Sequence, residues 1–205
     1  MLKLAVLVSG TGRSLSNLAE AIERDGIAAE IVEVISSNPD AYGLVRAAKR
    51  GIGATTIEPG GRPPSDRFSK QIFERVRDRG VDLVCLAGFL WKLAIPEDFR
   101  LRVLNIHPAL LPAFGGKGMY GHHVHEAVIA AGCKVSGCTV HLADNDYDQG
   151  PILVQRCCPV LDSDGPDALA DRVFAQECIA YPEAVNLIAQ GRVVVSEGRV
   201  ILGEP

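Results

Sequence analysis

The segment Leu2-Lys-Leu-Ala-Val-Leu-Val-Ser-Gly-Thr-Gly-Arg-Ser14 runs from a short apolar stretch through a glycine-rich turn into a helical pattern. A nearly continuous apolar stretch of this length is typical of a strand buried on both faces of a sheet. Apolar residues then recur at positions 15, 18, 19 and 22, which is the spacing of one face of a helix at 14–24. The segment therefore predicts a strand at 2–9, a tight turn and a helix, the first unit of a parallel α/β sheet.

The same alternation of strand and helix patterns continues along the chain. Further strands are predicted at 29–36, 54–57, 82–87 and 102–107, with helices at 41–50 and about 65–79 between them. Longer strand patterns follow at 135–143 and 152–160, then a helix at about 166–190 and a hairpin around residues 197 and 198. We predict an α/β fold in a single domain over 1–205: a mostly parallel, open, twisted sheet with helices on both faces and antiparallel additions in the C-terminal half.

Composition argues against several classes of protein. The 205 residues carry 21 Lys and Arg against 25 Asp and Glu, a net charge of −4, and aromatic residues make up 5%. The chain therefore has no basic field to attract nucleic acid or an anionic membrane surface, and few rings that could stack on bases. The sequence also contains no stretch that reads as a membrane span or a signal peptide. We expect neither nucleic acid nor a membrane as a partner.

The six cysteines form no Cys-x-x-Cys pair and no repeated spacing. Each lies within or beside an apolar run, as in Val-Cys-Leu at 84–86, where a cysteine behaves as a small hydrophobic residue. A zinc site or a disulfide framework is therefore disfavoured, and we expect a cytoplasmic location.

The glycine turn between the first strand and the first helix favours an anion. The N–H groups that begin a helix have no intrahelical partner, so they can bind a phosphate. A dinucleotide fingerprint would need a third glycine where Leu15 stands and an acidic residue after the second strand, where Ser36-Ser37-Asn38 stands. A single phosphate group thus fits better than NAD or ATP. The alternative is a turn in which glycine is needed for geometry alone.

Asn105 and His107 are separated by one residue at the end of a predicted strand, so both side chains face the same side of the sheet. An amide donor beside an imidazole could stabilise an oxyanion or move a proton, provided that a carboxylate orients the imidazole. The loop at 144–150 offers Asp144, Asp146 and Asp148, and Asp148 stands in its tightest turn. The alternative for the histidine is a hydrogen bond that serves structure only. The alternatives for the loop are a solvated acidic loop and a low-affinity calcium site, although the loop lacks the ligand spacing of an EF-hand.

His122, His123 and His125 place three of the five histidines at a predicted helix start. The side chains of His122 and His123 would point in different directions there, and no Cys or Glu of suitable spacing accompanies them. We expect packing and hydrogen bonding for this cluster, and no metal.

Taken together, several segments resemble the phosphoribosylglycinamide formyltransferase family, the folate-dependent enzymes of purine synthesis. The resemblance extends from the first strand to about Pro182, and its most specific parts are the Asn-Ile-His-Pro segment and the Asp-x-Gly-Pro loop. The segments that carry it are Val8-Ser-Gly-Thr-Gly12, Leu86-Ala-Gly-Phe89, Asn105-Ile-His-Pro-Ala-Leu-Leu-Pro112, His125-Glu126, Gly137-Cys-Thr-Val-His141 and Tyr147-Asp-Gln-Gly-Pro151.

The resemblance implies formyl transfer from 10-formyltetrahydrofolate to the primary amine of glycinamide ribonucleotide, with no metal and no covalent enzyme intermediate. The catalytic residues of the family match Asn105, His107 and Asp148, and His141 takes a supporting place. Asn105 and a protonated His107 would stabilise the oxyanion of a tetrahedral intermediate. Asp148 would raise the pKa of His107 and assist proton movement from the amine to the leaving folate nitrogen.

Binding roles are also implied by the resemblance. Gly12, Arg13 and Ser14 would hold the substrate phosphate, and Glu177 the ribose hydroxyls. Arg13-Ser14 stands where the family commonly has Ser-Asn or Thr-Asn, so main-chain donors would carry the phosphate, with Arg13 adding charge. The residues around the folate would be Leu90, Trp91, Lys92, Leu93, Ala143, Asp144 and Asp148.

The remaining implications concern organisation. Residues 1–100 would form a phosphate-binding half and residues 101–205 a folate-binding and catalytic half. The glycines of the loop at 114–121 suggest mobility, and whether the loop closes over the bound substrates is left open. The cation that some relatives place near the glutamate tail of the folate is not evident, because Ser65 stands there, with Arg62 and Arg67 nearby. The oligomeric state, monomer or homodimer, stays open.

Two alternatives differ in chemistry. Enzymes that share the catalytic domain include formyltetrahydrofolate hydrolase and formyltransferases for methionyl-tRNA or an amino sugar, which usually carry an extra domain. We expect 205 residues to leave no room for such a domain. A binding module for a phosphorylated ligand is the non-enzymatic alternative, and it would have no use for Asn105, His107 and Asp148 together.

Overall fold

The protein, described by a computed structural model over residues 1–61, 64 and 66–204, consists of two compact units. The first unit is Met1–Asn105 and the second begins at Ile106. The division falls within one strand, Val103–His107. The expected functional halves, 1–100 and 101–205, therefore stay a prediction, as does the single domain.

The first unit alternates strands and helices. Its elements are β1 (Leu2–Val8), α1 (Arg13–Asp25), β2 (Ala29–Ser36), α2 (Tyr42–Lys49), β3 (Ala54–Thr56), α3 (Asp66–Asp78), β4 (Leu83–Leu86), a 3₁₀ turn (Glu97–Phe99) and β5 (Val103–His107).

The strands of this unit pair in the order β3-β2-β1-β4-β5, and each of the neighbouring pairs is parallel. The chain moves outward from β1 to β3, then returns to place β4 on the other side of β1. Right-handed crossovers therefore put α1 and α2 on one face of the sheet and α3 on the other. Ligands of such sheets bind at the carboxyl ends of the strands where the order reverses, which here is between β1 and β4.

β1 is the central strand of the first unit because its sequence is almost wholly apolar. Residues 4–8 are completely buried, as expected for a strand that is covered on both faces. On α1 the buried residues are Leu15, Leu18, Ala19 and Ala21, which lie on one face of the helix. The helix ends at Gly26, whose φ of 64° lies in the left-handed region that favours glycine.

The second unit adds an antiparallel strand pair covered by a long helix. Its elements are α4 (His122–Ala130), β6 (Val135–Leu142), β7 (Ile152–Pro159), α5 (Pro166–Ala189), β8 (Val193–Ser196) and β9 (Arg199–Leu202). β6 and β7 are antiparallel and follow β5 in the strand order of one seven-stranded sheet, while β8 and β9 form a separate hairpin. Helix α5 packs on both β6 and β7.

The predicted fold class is confirmed: the sheet is mixed, mostly parallel, and antiparallel at its C-terminal side. The observed bounds of the strands and helices lie within one residue of the predicted ones wherever a range was predicted, and position 65, the predicted start of α3, lies outside the described residues. No helix in the described part of the chain has the length and apolar character needed to cross a membrane.

Candidate active site

The glycine turn after β1 begins α1, as predicted. Gly12 is the N-cap residue with a φ of 69°, and Arg13 and Ser14 are the first two residues of the helix. A Cβ atom at Gly12 would lie 2.7 Å from the Cα atom of Gly43, so both the backbone conformation and the close approach of α2 require glycine. The three residues predicted to bind phosphate thus lie at the helix N-terminus, where N–H groups are available to an anion.

Ser9 joins this turn to the segment that follows β4. The Ser9 N–H donates to the Gly88 carbonyl at 3.2 Å, and the Leu90 N–H donates to Ser9 Oγ at 3.0 Å. Ser9 Oγ also lies 2.7 Å from Ser37 Oγ, beyond the end of β2. Ser9 therefore ties together the ends of three neighbouring strands at the point where the strand order reverses.

The segment Leu90–Leu93, which is predicted to contact the folate, directly follows Phe89. The Leu90 and Lys92 side chains are exposed, and Trp91 is half-buried with its ring edge-on to Phe68, 6.3 Å between centroids. Leu93 is buried, so its side chain belongs to the core of the first unit. A ligand at this position would meet exposed side chains and the backbone of the segment.

Asn105 lies in β5, and its backbone is paired with Leu86, the last residue of β4. Its side chain is half-buried, whereas its strand neighbours Leu104 and Ile106 are buried. His107 ends the same strand two residues later, so the Asn105 and His107 side chains face the same side of β5.

His107 is buried, with 4% of its surface exposed. Its Nε2 lies 2.8 Å from the Phe114 carbonyl oxygen. Because a carbonyl only accepts, this contact places a proton on Nε2. Its other nitrogen, Nδ1, lies 3.7 Å from Asp148 Oδ2. The predicted partnership of His107 with Asp148 is therefore present in the second unit.

Asp148 is held by groups on both of its oxygens. Oδ2 accepts a hydrogen bond from the Gly116 N–H at 2.8 Å, and Oδ1 lies 3.7 Å from His141 Nε2. The residue has a φ of 57°, a left-handed conformation that turns the side chain inward to 11% exposure. His141, itself buried on β6, thus lies beside Asp148, and its supporting role stays a prediction.

Burial and charge act in opposite directions on this pair. Burial lowers the pKa of His107 below its usual value, and it outweighs the upward effects of Asp148 and the Phe114 carbonyl. For Asp148, burial raises the pKa, but His141, the Gly116 N–H and His107 together lower it below its usual value. At neutral pH the pair is therefore a neutral imidazole beside a carboxylate. The protonated His107 that the resemblance implies for the tetrahedral intermediate stays a prediction, and burial is the effect that opposes it.

The other predicted residues of the second unit lie on the loop after β6 and on α5. Ala143 is half-buried, and the exposed Asp144 accepts a hydrogen bond from the Asp146 N–H at 2.9 Å. Glu177 is half-buried on α5. Burial, and after it the Glu177 carboxylate, raises the pKa of the Cys138 thiol to about 12, so Cys138 stays protonated and is no nucleophile.

The three neighbouring histidines of α4 have different partners, although the rings of His122 and His125 lie edge to face with 6.5 Å between their centroids. His122 Nε2 lies 3.5 Å from Asp167, and His123 Nδ1 lies 3.4 Å from Glu126. His125 is buried, and its Nδ1 has no hydrogen-bond partner among the described residues. Within the same residues, no group of three or more His, Cys, Asp or Glu is arranged to hold a metal ion.

Two contacts of the site could not be read from the sequence, because backbone atoms make them. The Phe114 carbonyl and the Gly116 N–H both belong to the loop at 114–121, and its glycines were the only signal. Phe114 has a φ of 54°, which is uncommon for a residue with a side chain. Arg62 and Ser65, considered for the glutamate tail of the folate, lie outside the described residues.

Comparison with known proteins gives consistent matches. The formyl transferase family matches residues 2–185. The chloroplastic phosphoribosylglycinamide formyltransferase of Arabidopsis thaliana is 39% identical over 203 residues, 98% of this chain and 70% of the plant protein. The trifunctional purine biosynthetic protein adenosine-3 of Drosophila melanogaster is 37% identical over 95% of this chain, which spans 14% of the fly protein.

A solved structure agrees with the sequence relatives. The crystal structure of glycinamide ribonucleotide transformylase 1 from Symbiobacterium toebii superimposes with a TM-score of 0.92 at 39% identity. The match covers 100% of this chain and 95% of the bacterial one.

Proposed function

This chain belongs to the formyl transferase family, and from that premise we propose that it transfers the formyl group of 10-formyltetrahydrofolate to the amine of 5'-phosphoribosylglycinamide in purine biosynthesis. The observation that carries the proposal is the buried His107, which has a proton on Nε2 and the Asp148 carboxylate beside Nδ1. An imidazole and a carboxylate arranged in this way suit acyl transfer to an amine.

The reaction needs a group that stabilises negative charge on oxygen. The substrate amine attacks the formyl carbon, a carbon–nitrogen bond forms, and the formyl oxygen becomes an oxyanion. The tetrahedral intermediate then collapses, the bond to the folate nitrogen breaks, and that nitrogen leaves with a proton. The products are the formamide of the ribonucleotide and tetrahydrofolate.

Asn105 and His107 supply the donors to the oxyanion. The two side chains face the same side of β5, and an amide N–H and the His107 Nε2–H can both donate to one oxygen. In this structure the His107 Nε2–H is bonded to the Phe114 carbonyl, so it becomes available to the oxyanion once that carbonyl has moved away. Loss of one such donor typically lowers kcat about 10²–10³-fold.

Asp148 acts on His107 and on the transferred proton. Its carboxylate raises the pKa of His107 against the effect of burial, so the imidazole takes up a proton more readily as the oxyanion forms. Through a water molecule, the same carboxylate passes the proton of the attacking amine to the leaving folate nitrogen. Gly116 and His141 keep this carboxylate in place.

The substrates are held by the remaining predicted residues. Gly12, Arg13 and Ser14 bind the ribonucleotide phosphate, and Glu177 binds the ribose hydroxyls. The folate lies against Leu90–Leu93 and the segment that contains Ala143, Asp144 and Asp148. No metal takes part in the mechanism. The six cysteines are thiols, which fits a reducing compartment, and we place the reaction in the cytoplasm.

The test is to mix the protein with 10-formyltetrahydrofolate and 5'-phosphoribosylglycinamide and follow the absorbance of the released folate. We expect release that depends on the acceptor, and a loss of about 10²–10⁴-fold in kcat for both His107→Ala and Asp148→Asn. His123→Ala is the matched control, because His123 is an exposed histidine on α4, and it should retain the wild-type rate.

Three outcomes would contradict the proposal. Folate release without any acceptor would identify a hydrolase. Binding of both compounds without turnover would identify a binding module. A near-normal rate in His107→Ala would remove His107 from the mechanism.

A further inference from the structure

Arg46, on α2, contacts the glycine turn although the proposed mechanism gives it no role. Its Nε donates to the Thr11 carbonyl at 2.9 Å, and one of its terminal nitrogens donates to Ser16 Oγ at 3.1 Å. The guanidinium also lies over the Tyr42 ring, 5.1 Å from the ring centroid. These contacts hold the half-buried Arg46 between α2 and the first turn of α1.

A second contact from α2 holds the preceding carbonyl of the same turn. The Gly43 N–H donates to the Gly10 carbonyl at 3.0 Å. Helix α2 approaches so closely that a Cβ atom on Gly12 would meet Gly43. The carbonyls of two successive peptide units, Gly10–Thr11 and Thr11–Gly12, are therefore both bonded to α2.

The geometry of the peptide bond then fixes the direction of the matching N–H groups. In a trans peptide the C=O and N–H bonds point in opposite directions. Because the Gly10 and Thr11 carbonyls point toward α2, the N–H groups of Thr11 and Gly12 point away from it. Both N–H groups are thus oriented before any ligand arrives, at the start of α1.

The charge of Arg46 strengthens one of these donors. A hydrogen bond from a guanidinium to a carbonyl is charge-assisted, and it polarises the peptide so that the N–H at its other end becomes a better donor. Here the polarised N–H is that of Gly12. The first turn of α1 contains no acidic residue that would oppose an anion.

We propose that Arg46 is a positioning residue for the ribonucleotide phosphate, acting through the Thr11–Gly12 peptide. The inference rests on the proposed function, in which Gly12, Arg13 and Ser14 hold that phosphate. Arg46 contacts the turn through the Thr11 carbonyl, on the side opposite the Gly12 N–H. It thereby determines how well the backbone of the turn binds a phosphate monoester.

The test compares Arg46→Gln and Arg46→Lys with Arg50→Gln. Arg50 is the matched control, because it also links α2 to α1, through Glu20 at 2.7 Å and Glu23 at 3.5 Å, but lies away from the turn. For each variant, KM for 5'-phosphoribosylglycinamide, KM for 10-formyltetrahydrofolate, kcat and the inhibition constant of inorganic phosphate are measured. The midpoint of thermal unfolding shows whether each variant is folded.

We expect Arg46→Gln to raise KM for the ribonucleotide and the inhibition constant of phosphate by about 10-fold or more, the effect of one lost charge-assisted hydrogen bond. KM for the folate and kcat should change less than about twofold, because neither depends on the Thr11–Gly12 peptide. Arg46→Lys keeps the charge but not the two-pronged geometry, so it should recover part of the loss. Arg50→Gln should leave both constants at wild-type values.

Three results would overturn the inference while leaving the proposed function intact: an unchanged ribonucleotide KM in Arg46→Gln, an equal rise in both KM values, or the same change in Arg50→Gln. If Arg46→Gln does not fold, the result for Arg46→Lys decides. A wild-type protein that does not formylate the ribonucleotide would instead disprove the proposed function, and the inference with it.

Discussion

At the scale of the residue, His107 is subject to two opposing effects. Burial disfavours its charged form, and the carboxylate of Asp148, 3.7 Å from Nδ1, favours it. Burial is the larger of the two, so the pKa lies below the ordinary value of about 6.5. The Asp148 carboxylate therefore reduces the shift without reversing it.

Removing the carboxylate should lower the pKa of His107 further. We expect Asp148→Asn to shift the imidazole titration, followed by NMR of the ring protons, to lower pH than in the wild-type protein. The wild-type titration of His107 should itself lie below the ordinary value of about 6.5. A higher pKa in Asp148→Asn would mean that the carboxylate does not act on the ring.

Side chains of the site could be predicted from the sequence, whereas its backbone groups could not. Asn105 and His107 are identified by their spacing on a strand, and Asp148 by the tight turn that contains it. The Phe114 carbonyl and the Gly116 N–H carry no side-chain signature, since every peptide unit has the same groups. The lowered pKa of His107 was likewise beyond the sequence, because burial is its largest cause.

At the scale of the element, β2 and α3 are joined through a buried carboxylate. Glu33 on β2 is fully buried, and it accepts hydrogen bonds from the Thr55 hydroxyl at 2.6 Å and from Arg75 at 3.0 and 3.1 Å. Arg79, just beyond the end of α3, also lies 3.1 Å from the carboxylate. Both arginines are partly exposed, so the carboxylate is the group that loses its hydration most completely.

The two sides of this contact should differ in their contribution to stability. The double variant Arg75→Met/Arg79→Met leaves an uncompensated buried charge, and we expect it to lower the free energy of unfolding by about 3–5 kcal/mol. Glu33→Gln leaves two arginines whose side chains can reorient into the solvent. It should therefore lower the free energy of unfolding by clearly less than the double variant does. Urea unfolding at neutral pH measures both.

Arg77→Met is the control for this prediction. Arg77 lies on the same helix and pairs with the exposed Asp98 at 2.7 Å, so its loss should cost less than about 1 kcal/mol. A larger loss of stability in Glu33→Gln than in the double arginine variant would contradict this prediction. It would mean that the hydrogen bonds of the carboxylate stabilise the fold by more than its buried charge destabilises it.

The sequence predicts the elements well because their boundaries are marked by local signals. Apolar runs end at glycine or proline, and the helices show one apolar face, so β1, α1 and β6 follow from the pattern. The pattern cannot show that Glu33, in the middle of β2, points inward to α3. A charged residue within a strand normally indicates a solvated face, and here tertiary contacts override that rule.

At the scale of the whole molecule, buried titratable groups make stability depend on pH. Burial lowers the pKa of both His107 and His125, so below about pH 6.5 the unfolded chain binds more protons than the folded one. Stability should therefore fall as the pH drops from about 7 through the lowered values. The pKa of Asp164, which Arg172 holds at about 2, and that of Asp148 are lowered too, and their contributions are lost only in a more acidic range.

We expect His125→Asn to reduce the loss of stability between pH 7 and pH 5, because one of the two imidazoles with a lowered pKa is then absent. The measurement is the free energy of unfolding in urea at pH 7, 6 and 5. The wild-type protein, measured in the same way, is the reference. An identical slope in His125→Asn and the wild-type protein would exclude His125 as a source of the effect.

The Phe114 carbonyl, which is part of the enzyme itself, competes with the substrate for the hydrogen bond of the His107 Nε2–H. On the proposed mechanism the formyl oxygen needs the same proton, so substrate must displace a ligand whose local concentration is fixed by the length of the loop. The measured affinity for substrate is then the intrinsic affinity multiplied by the fraction of molecules in which the hydrogen bond between Phe114 and His107 is broken. Phe114 has a φ of 54°, a conformation that costs free energy for a residue with a side chain, so this cost favours release of the carbonyl. A change that relaxes Phe114, such as Phe114→Gly, would therefore weaken substrate binding without removing any contact to the substrate.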